Sequence, residues 1–278
     1  MAAQALCVGV NEFGNLPSAN WLNGCVNDAN DMAAMLRTRP GFSRRNITVL
    51  TDKDATKAHV MAKLTDIIGK AKAGKLDHVV FSFSSHGTQV PDQNGDETVD
   101  HVDEAFACYD IASKGSDWDR DTVLVDDELH SLLSDIPKNV LVEVFLDTCH
   151  SGTGLKDLLP GQKARFLPPP TRRGMQRIAP KSDPKGYQEL VKSTPAASRA
   201  VLFAGCKADQ TSADAYFDGR YSGAFTYYFL KVLGNGAAPS RTALLTAVSE
   251  GLRAGDFTQR AQLEASPKAK RAPFGVLG

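Results

Sequence analysis

The chain has 278 residues, 42% of them hydrophobic, and its 32 basic and 32 acidic side chains cancel. That length supports one sizeable α/β core or at most two small ones, and a single domain is expected. The balanced charge leaves no basic footprint for nucleic acid, and no run approaches the ~18 apolar residues of a membrane span, so neither partner is expected.

The N-terminal MAAQALCVGV lacks the basic start and long apolar run of a signal peptide. Five cysteines (Cys7, Cys25, Cys108, Cys149, Cys206) show no metal-ligand spacing, and an odd number cannot all pair in one monomer. A reducing, cytoplasmic setting and a monomer are expected. Apolar runs rich in β-branched and aromatic residues at 5–10, 47–50, 78–83, 140–146 and 200–203 read as buried strands. Helical spacing lies between and after them, as in Met61, Leu64, Ile68 and Ala71, and in Phe225, Tyr228, Phe229 and Val232. The alternation predicts an α/β fold: a mainly parallel sheet covered by helices on both faces.

Residues 160–197 break the pattern, with half of the 14 prolines and several basic residues, and read as a loop or linker. Residues 1–159 form the longer portion; 198–278, with one strong strand and two helices, are expected to complete the same sheet. Two strands end in polar sequence, FSFSSHGTQ and FLDTCHSGTG. Ligands bind outside the carboxyl ends of strands in an open parallel sheet, so His86 and Cys149 can meet if their strands are neighbours. An imidazole that takes a thiol proton makes the thiolate a nucleophile, and backbone N–H groups near Gly87 and Gly152 could receive the resulting oxyanion. Taken alone, these pairs more often mark a buried structural cysteine than a catalytic one.

The flanking segments are more specific. LNGCVNDANDMAAML (22–36), SHGT (85–88), GDETVDHVDEA (95–105), VDDELHSLL (125–133), DTCHSGT (147–153) and GAFTYYFL (223–230) resemble, in that order, the metacaspases. The resemblance implies a caspase-like domain, a Cys149–His86 dyad, an oxyanion site at Gly87, and a cleavable linker between a larger and a smaller portion. One departure is Ser85 where the family has glycine, which is expected to constrain the loop beside His86. The related legumain-like and gingipain-like peptidases, and a silent scaffold on the same fold, are the competing classes; the segment LNGCVNDA argues against the first two and the intact dyad against the third.

By motif position the resemblance places Cys25, Asp28, Ser84 and Asp147 around the residue before the scissile bond, implying peptide or protein substrates cut after Arg or Lys. Asp147 lies two residues before Cys149, so on a continuing strand it would share the face of the nucleophile. No protein cation is expected to neutralise it, and an unpaired buried charge costs several kcal/mol, which also points to a cationic substrate. Asp28 could instead cap the helix starting near residue 26. Acidic residues crowd 92–104 and 117–128, and hard oxygen ligands suit calcium. The resemblance implies calcium held by Asp103, Asp126 and Asp127; the fourth aspartate of the family is Lys156 here, and acidic residues at a helix N-terminus are the competing reading. Within the linker, Arg172, Arg173, Arg177, Lys181 and Lys185 are the expected self-cleavage positions. His59, His78, His101, His130 and His150 read as surface or packing residues.

Overall fold

The computed structural model describes residues 2–93, 102–134, 136–149, 158–171, 174, 200–207, 210–236 and 240–278. Largely apolar stretches become strands: β1 (Ala3–Gly9), β2 (Ile47–Thr51), β3 (His78–Ser84) and, past five intervening strands, β9 (Leu141–Asp147) and β11 (Ala200–Ala204); all are mostly buried except β2, expected as a buried strand but half-buried throughout because it lies at the sheet edge. With β14 (Gln262–Glu264) they make a six-stranded sheet ordered β14-β11-β9-β3-β1-β2, parallel except for β14. The predicted α/β architecture is therefore present.

Side-chain alternation divides the core. Leu6, Val8, Val142, Val144 and Leu146 point to one layer, with Val60, Leu64 and Ile68 of helix α2 (Lys57–Lys72) and Leu129 of α3 (Asp126–Leu133). Ala5, Cys7 and Phe145 point to the other, with Ala29 and Met32 of α1 (Cys25–Leu36), Phe225 and Phe229 of α4 (Ala224–Gly234), Val248 of α5 (Arg241–Ala254) and Ala269 of α6 (Pro267–Arg271). The helical stripes follow the expected spacing, except that Met61, Tyr228 and Val232 are only partly buried and Ile67 and Leu233 take inner positions. His78, read as a surface or packing residue, instead belongs to a buried ionic knot: its Nε2 lies 2.9 Å from Glu143, which also accepts from Arg241.

The portion after the linker holds more than the one strand expected. Strands β12 (Ala213–Phe217) and β13 (Arg220–Gly223) form an antiparallel hairpin, to which β10 (Lys163–Ala164) adds on the other side of β12. A second small antiparallel sheet joins β4 (Gly87–Pro91), β5 (Val102–Ala107) and β8 (Val123–Val125); β6 (Ser113–Lys114) and β7 (Asp117–Trp118) pair with each other. Among the described residues no helix is long and apolar enough to cross a membrane, and all five cysteines are free thiols.

Candidate active site

β3 and β9 are direct neighbours, with Ser84 opposite Asp147, so the polar sequences after them emerge side by side. His86 follows β3 after Ser85, whose buried hydroxyl donates to the carbonyl of Ala107 at 2.7 Å, while the Ala107 N–H donates to the carbonyl of His86 at 2.9 Å. Ser85 thus ties the histidine loop to β5, a constraint on that loop of the kind expected where serine replaces glycine. The imidazole stacks on Phe13 at 5.3 Å, and its Nε2 pairs with the carbonyl of Asn20 at 2.7 Å. That contact makes Nε2 the protonated nitrogen, because a carbonyl can only accept. Nδ1 is buried with no hydrogen-bond partner, so it is the nitrogen left to take a proton. Burial pushes the His86 pKa down to about 4, despite the opposing bond to Asn20.

Cys149 is fully buried just past the end of β9. Because the strand stops at Asp147, alternation does not carry the face of that carboxylate on to the thiol. The thiol accepts from the Ser212 N–H and lies 3.4 Å from the Ser212 carbonyl, packed with Cys206 and Phe166. The backbone N–H groups of Gly87 and Cys149 point at one oxygen, the carbonyl of Arg165, at 2.8 and 3.1 Å. Only glycine fits at 87, because a Cβ there would overlap the Cys149 carbonyl.

The Arg165 side chain enters a fully buried cage. Its Nη2 donates to Asp28 at 2.6 Å and Asp214 at 3.0 Å; its Nη1 donates to the Asp147 carbonyl at 3.1 Å and lies 3.2 Å from the Asp147 carboxylate. Each carboxylate is braced by other donors. Asp28 accepts from Ser222 Oγ and Gly223 N, Asp147 from Ser212 Oγ, Thr226 Oγ1 and Thr226 N, and Asp214 from Asn23 N and Gly24 N. Glycine at 223 leaves room for the guanidinium, since a Cβ would collide with both Asp147 and Arg165. Burial opposes the charge on Arg165, but the surrounding acidic groups, Asp147 foremost, hold its pKa well above the ordinary value. Burial raises the Asp28 carboxyl to about 6 against the pull of Arg165, with Asp147 adding repulsion. Asp28 makes no capping bond to its helix; Asn11 Oδ1 accepts from Cys25 N there instead.

The structure thus brings together Cys25, Asp28 and Asp147 of the residues expected in the pocket, with the buried Cys25 thiol close enough to feel all four charges of the cage. Ser84 sits beside Asp147 in register. The expectation that no protein cation meets Asp147 is overturned by Arg165. Sequence reading also missed Asp214, Ser222 and Thr226, which the hairpin and α4 deliver; the Asp218-Gly219 dipeptide, with φ of 45° and 92°, is the turn signal that could have found the hairpin. Gly152, His101 and His150, and the self-cleavage candidates Arg172, Arg173, Arg177, Lys181 and Lys185, lie outside the described residues.

After burial as the main cause, Asp127 raises the pKa of both Asp103 and Asp126, and Asp103 raises that of Asp126. Asp126 Oδ1 is buried without a partner, an atom a cation would satisfy. Against that, Arg120 pairs with Asp103 at 2.5 Å, and among the described residues no three acidic, histidine or cysteine side chains converge as a metal cage. Glu128 turns back to accept from Val125 N at 2.9 Å, the helix-start use of an acidic residue.

A caspase-domain family model matches residues 2–272. The chain is 30% identical to Metacaspase-1 of Cryptococcus neoformans over 95% of its length, spanning 62% of that protein. It is 28% identical to Metacaspase-1A of Aspergillus niger, covering 95% of this chain and 70% of the relative. In structure it is similar to protein GSU0716 of Geobacter sulfurreducens, at a TM-score of 0.67 and 30% identity, with both chains covered completely.

Proposed function

The chain belongs to the caspase-domain family, and from that membership we propose that it is a cysteine endopeptidase that cuts after arginine or lysine. Cys149 is the nucleophile and His86, through Nδ1, its base; Gly87 N–H and Cys149 N–H receive the oxyanion; Asp28, Asp147 and Asp214 hold the cation, with Cys25 and Ser84 beside them. The observation that carries this reading is Arg165, whose guanidinium fills the carboxylate cage while its carbonyl accepts from both N–H groups next to the thiol.

The chemistry follows from that arrangement. Preorganised N–H donors stabilise the charge that develops on a carbonyl oxygen under attack, and cost nothing to reorient in a site without water. A desolvated cage of three carboxylates favours a cation and rejects aspartate by like-charge repulsion. With its pKa near 4, His86 is neutral at physiological pH and can take up a proton as Cys149 attacks. Its Nε2 bond to Asn20 keeps the ring oriented for that transfer.

Self-processing within residues 160–197 and stimulation by calcium belong to the same reading. Calcium would be held by Asp103, Asp126 and Asp127, would supply positive charge to a carboxylate cluster that otherwise resists ionisation, and has to displace Arg120 from Asp103. Labelling with a peptidyl-arginyl fluoromethyl ketone tests the proposal. The reagent is expected on Cys149 by peptide mapping, and the matched aspartyl reagent is not; modification of another cysteine would remove Cys149 from the role.

A further inference from the structure

A second thiol lies against the nucleophile, and the reaction proposed above does not use it. β9 and β11 are neighbours with Leu146 opposite Ala204, and the Gly205 N–H donates to the Leu146 carbonyl at 2.8 Å, so the pairing runs to the ends of both strands and brings Cys206 beside Thr148 and Cys149. The Cys206 sulfur lies 3.5 Å from the Thr148 carbonyl and 3.5 Å from the Gln210 carbonyl, while the Cys149 sulfur meets the N–H and carbonyl of Ser212. One short stretch, 210–212, thus holds both sulfurs, and the two thiols are hydrogen-bonded to each other. Adjacent strands run about 4.8 Å apart and a disulfide spans about 4.4–6.8 Å between Cα atoms, so these two side chains can be bridged without moving the sheet.

The other cysteines are placed differently. Cys7 in β1 and Cys108 just past β5 are fully buried, and burial raises both thiols, Cys7 to about 12. Structural thiols of that kind are inert. Cys25 lies against the carboxylate cage, where burial raises it as well. Cys206 is raised first by its bond to Cys149 and then by burial, so it keeps its proton and is not the thiol that meets an oxidant first. Cys149 has an imidazole assigned to take its proton, and Cys206 waits beside it.

We propose that Cys149 and Cys206 form a reversible disulfide when the protein meets peroxide, and that this bond switches the peptidase off. The switch rests on the peptidase reading; the bond itself needs only the two sulfurs. The Cys149 proton passes to His86 Nδ1 and the sulfur attacks one oxygen of hydrogen peroxide. The O–O bond breaks, Cys149 becomes a sulfenic acid, and the departing hydroxide takes the proton from His86 and leaves as water. Cys206 then attacks the sulfenic sulfur, the S–O bond breaks, and hydroxide leaves with the Cys206 proton as a second water. Two thiols have lost two electrons, and one peroxide has become two waters. A dithiol reductant reverses the step and is itself oxidised to a disulfide. A sulfenic acid with a thiol in contact is drained to this recoverable bond, whereas one without it goes on to irreversible sulfinic acid.

Non-reducing peptide mapping of the whole chain after exposure to hydrogen peroxide tests the proposal. A peptide pair linked through Cys149 and Cys206 is expected, with Cys7 and Cys108 still free to be alkylated. Cleavage of an arginine peptide should fall at least ~10-fold, and dithiothreitol should return it to near the untreated rate. In Cys206→Ala, measured against its own untreated rate, the loss should stay at least ~10-fold after dithiothreitol, with two oxygens added to Cys149. Should Cys206→Ala fail to fold, mapping of the unaltered chain decides alone. Cys149 linked to Cys25, Cys149 driven to sulfinic acid in the unaltered chain, or full recovery of Cys206→Ala would overturn the inference and leave the peptidase reading standing. Reduced protein that cuts no arginine peptide yet forms the Cys149–Cys206 bond would overturn the peptidase reading and leave the pairing.

Discussion

At the scale of residues, each step of the proposed reaction falls to named atoms. Cys149→Ala or His86→Ala should lower kcat by at least ~10³-fold with an unchanged fold, because each removes the reacting pair and not the core; near-normal turnover of purified Cys149→Ala would point to another nucleophile. The pocket makes a pH prediction. Burial raises Asp28 to about 6 and a guanidinium lowers it, so binding a cation expels a proton and affinity for arginine rises with pH. The value of about 6 is the one Asp28 keeps with a guanidinium beside it, so KM for an arginine peptide should fall as pH rises above about 6, and a flat KM would contradict the linkage. His86 is depressed to about 4 from an ordinary 6.5, so it stays neutral through that window and kcat holds until the acid end. Its contribution to stability has the matching sign: fully present above 6.5 and lost as pH falls through about 4. Asp214→Asn should cost about 10- to 100-fold in kcat/KM for arginine peptides, the scale of breaking one arm of a buried charged contact; an unchanged value would exclude Asp214 from recognition. His86, Cys149, Asp28 and Asp147 were all legible as motif residues. Arg165 was not, because among the many basic residues of 160–197 nothing in sequence distinguishes one that folds back into a cleft. Asp214 was not, because its partners Asn23, Gly24 and Arg165 lie far from it along the chain.

At the scale of elements, the pocket depends on a hairpin that sequence periodicity does not announce. Its strands, ADAYF and RYSG, are short and carry small or polar residues, whereas β1, β3, β9 and β11 declare themselves by largely apolar runs. The turn is held by Asp218 and Gly219 in left-handed conformations, and nothing lies within reach of a Cβ at 219. Gly219→Val should thus cost only backbone strain, ~1–2 kcal/mol of stability by urea unfolding. Because β12 and β13 carry Asp214 and Ser222, KM for arginine peptides should rise with it. A variant with wild-type stability and KM would mean that the turn does not set the pocket. The same dependence on local geometry explains why the alternation argument for Asp147 and Cys149 failed: β9 ends at Asp147, and the cage is closed by the hairpin and α4, not by the strand alone.

At the scale of the whole molecule, sheet order does what sequence order conceals. β3 and β9 are neighbours, which brings His86 and Cys149 to one end of the sheet, and β11 continues from β9, which fixes the portion after residue 200 to the same sheet. A break within 160–197 therefore leaves the two fragments sharing one sheet and one core. They should co-elute in gel filtration and separate only in denaturant; separation in plain buffer would contradict the shared core. The calcium proposed above would act at the other small sheet, at β5 and the start of α3: about millimolar calcium should raise activity, and Asp126→Ala with Asp127→Ala should remove the response. Equal rates in calcium and in excess chelator would dismiss it. The fold class was legible because it follows from strand and helix alternation, whereas the pocket was only half legible, because its walls come from both portions and its occupant from the segment between them. The central claim is that the carboxylate cage selects a cation for attack by Cys149. Its most direct test is kcat/KM for four matched peptides with arginine, lysine, asparagine or aspartate before the scissile bond. The account predicts that arginine and lysine exceed asparagine and aspartate by ~10³-fold or more, the scale set when a buried polar site is left without its partner. Cleavage after asparagine or aspartate at a comparable or faster rate would contradict it.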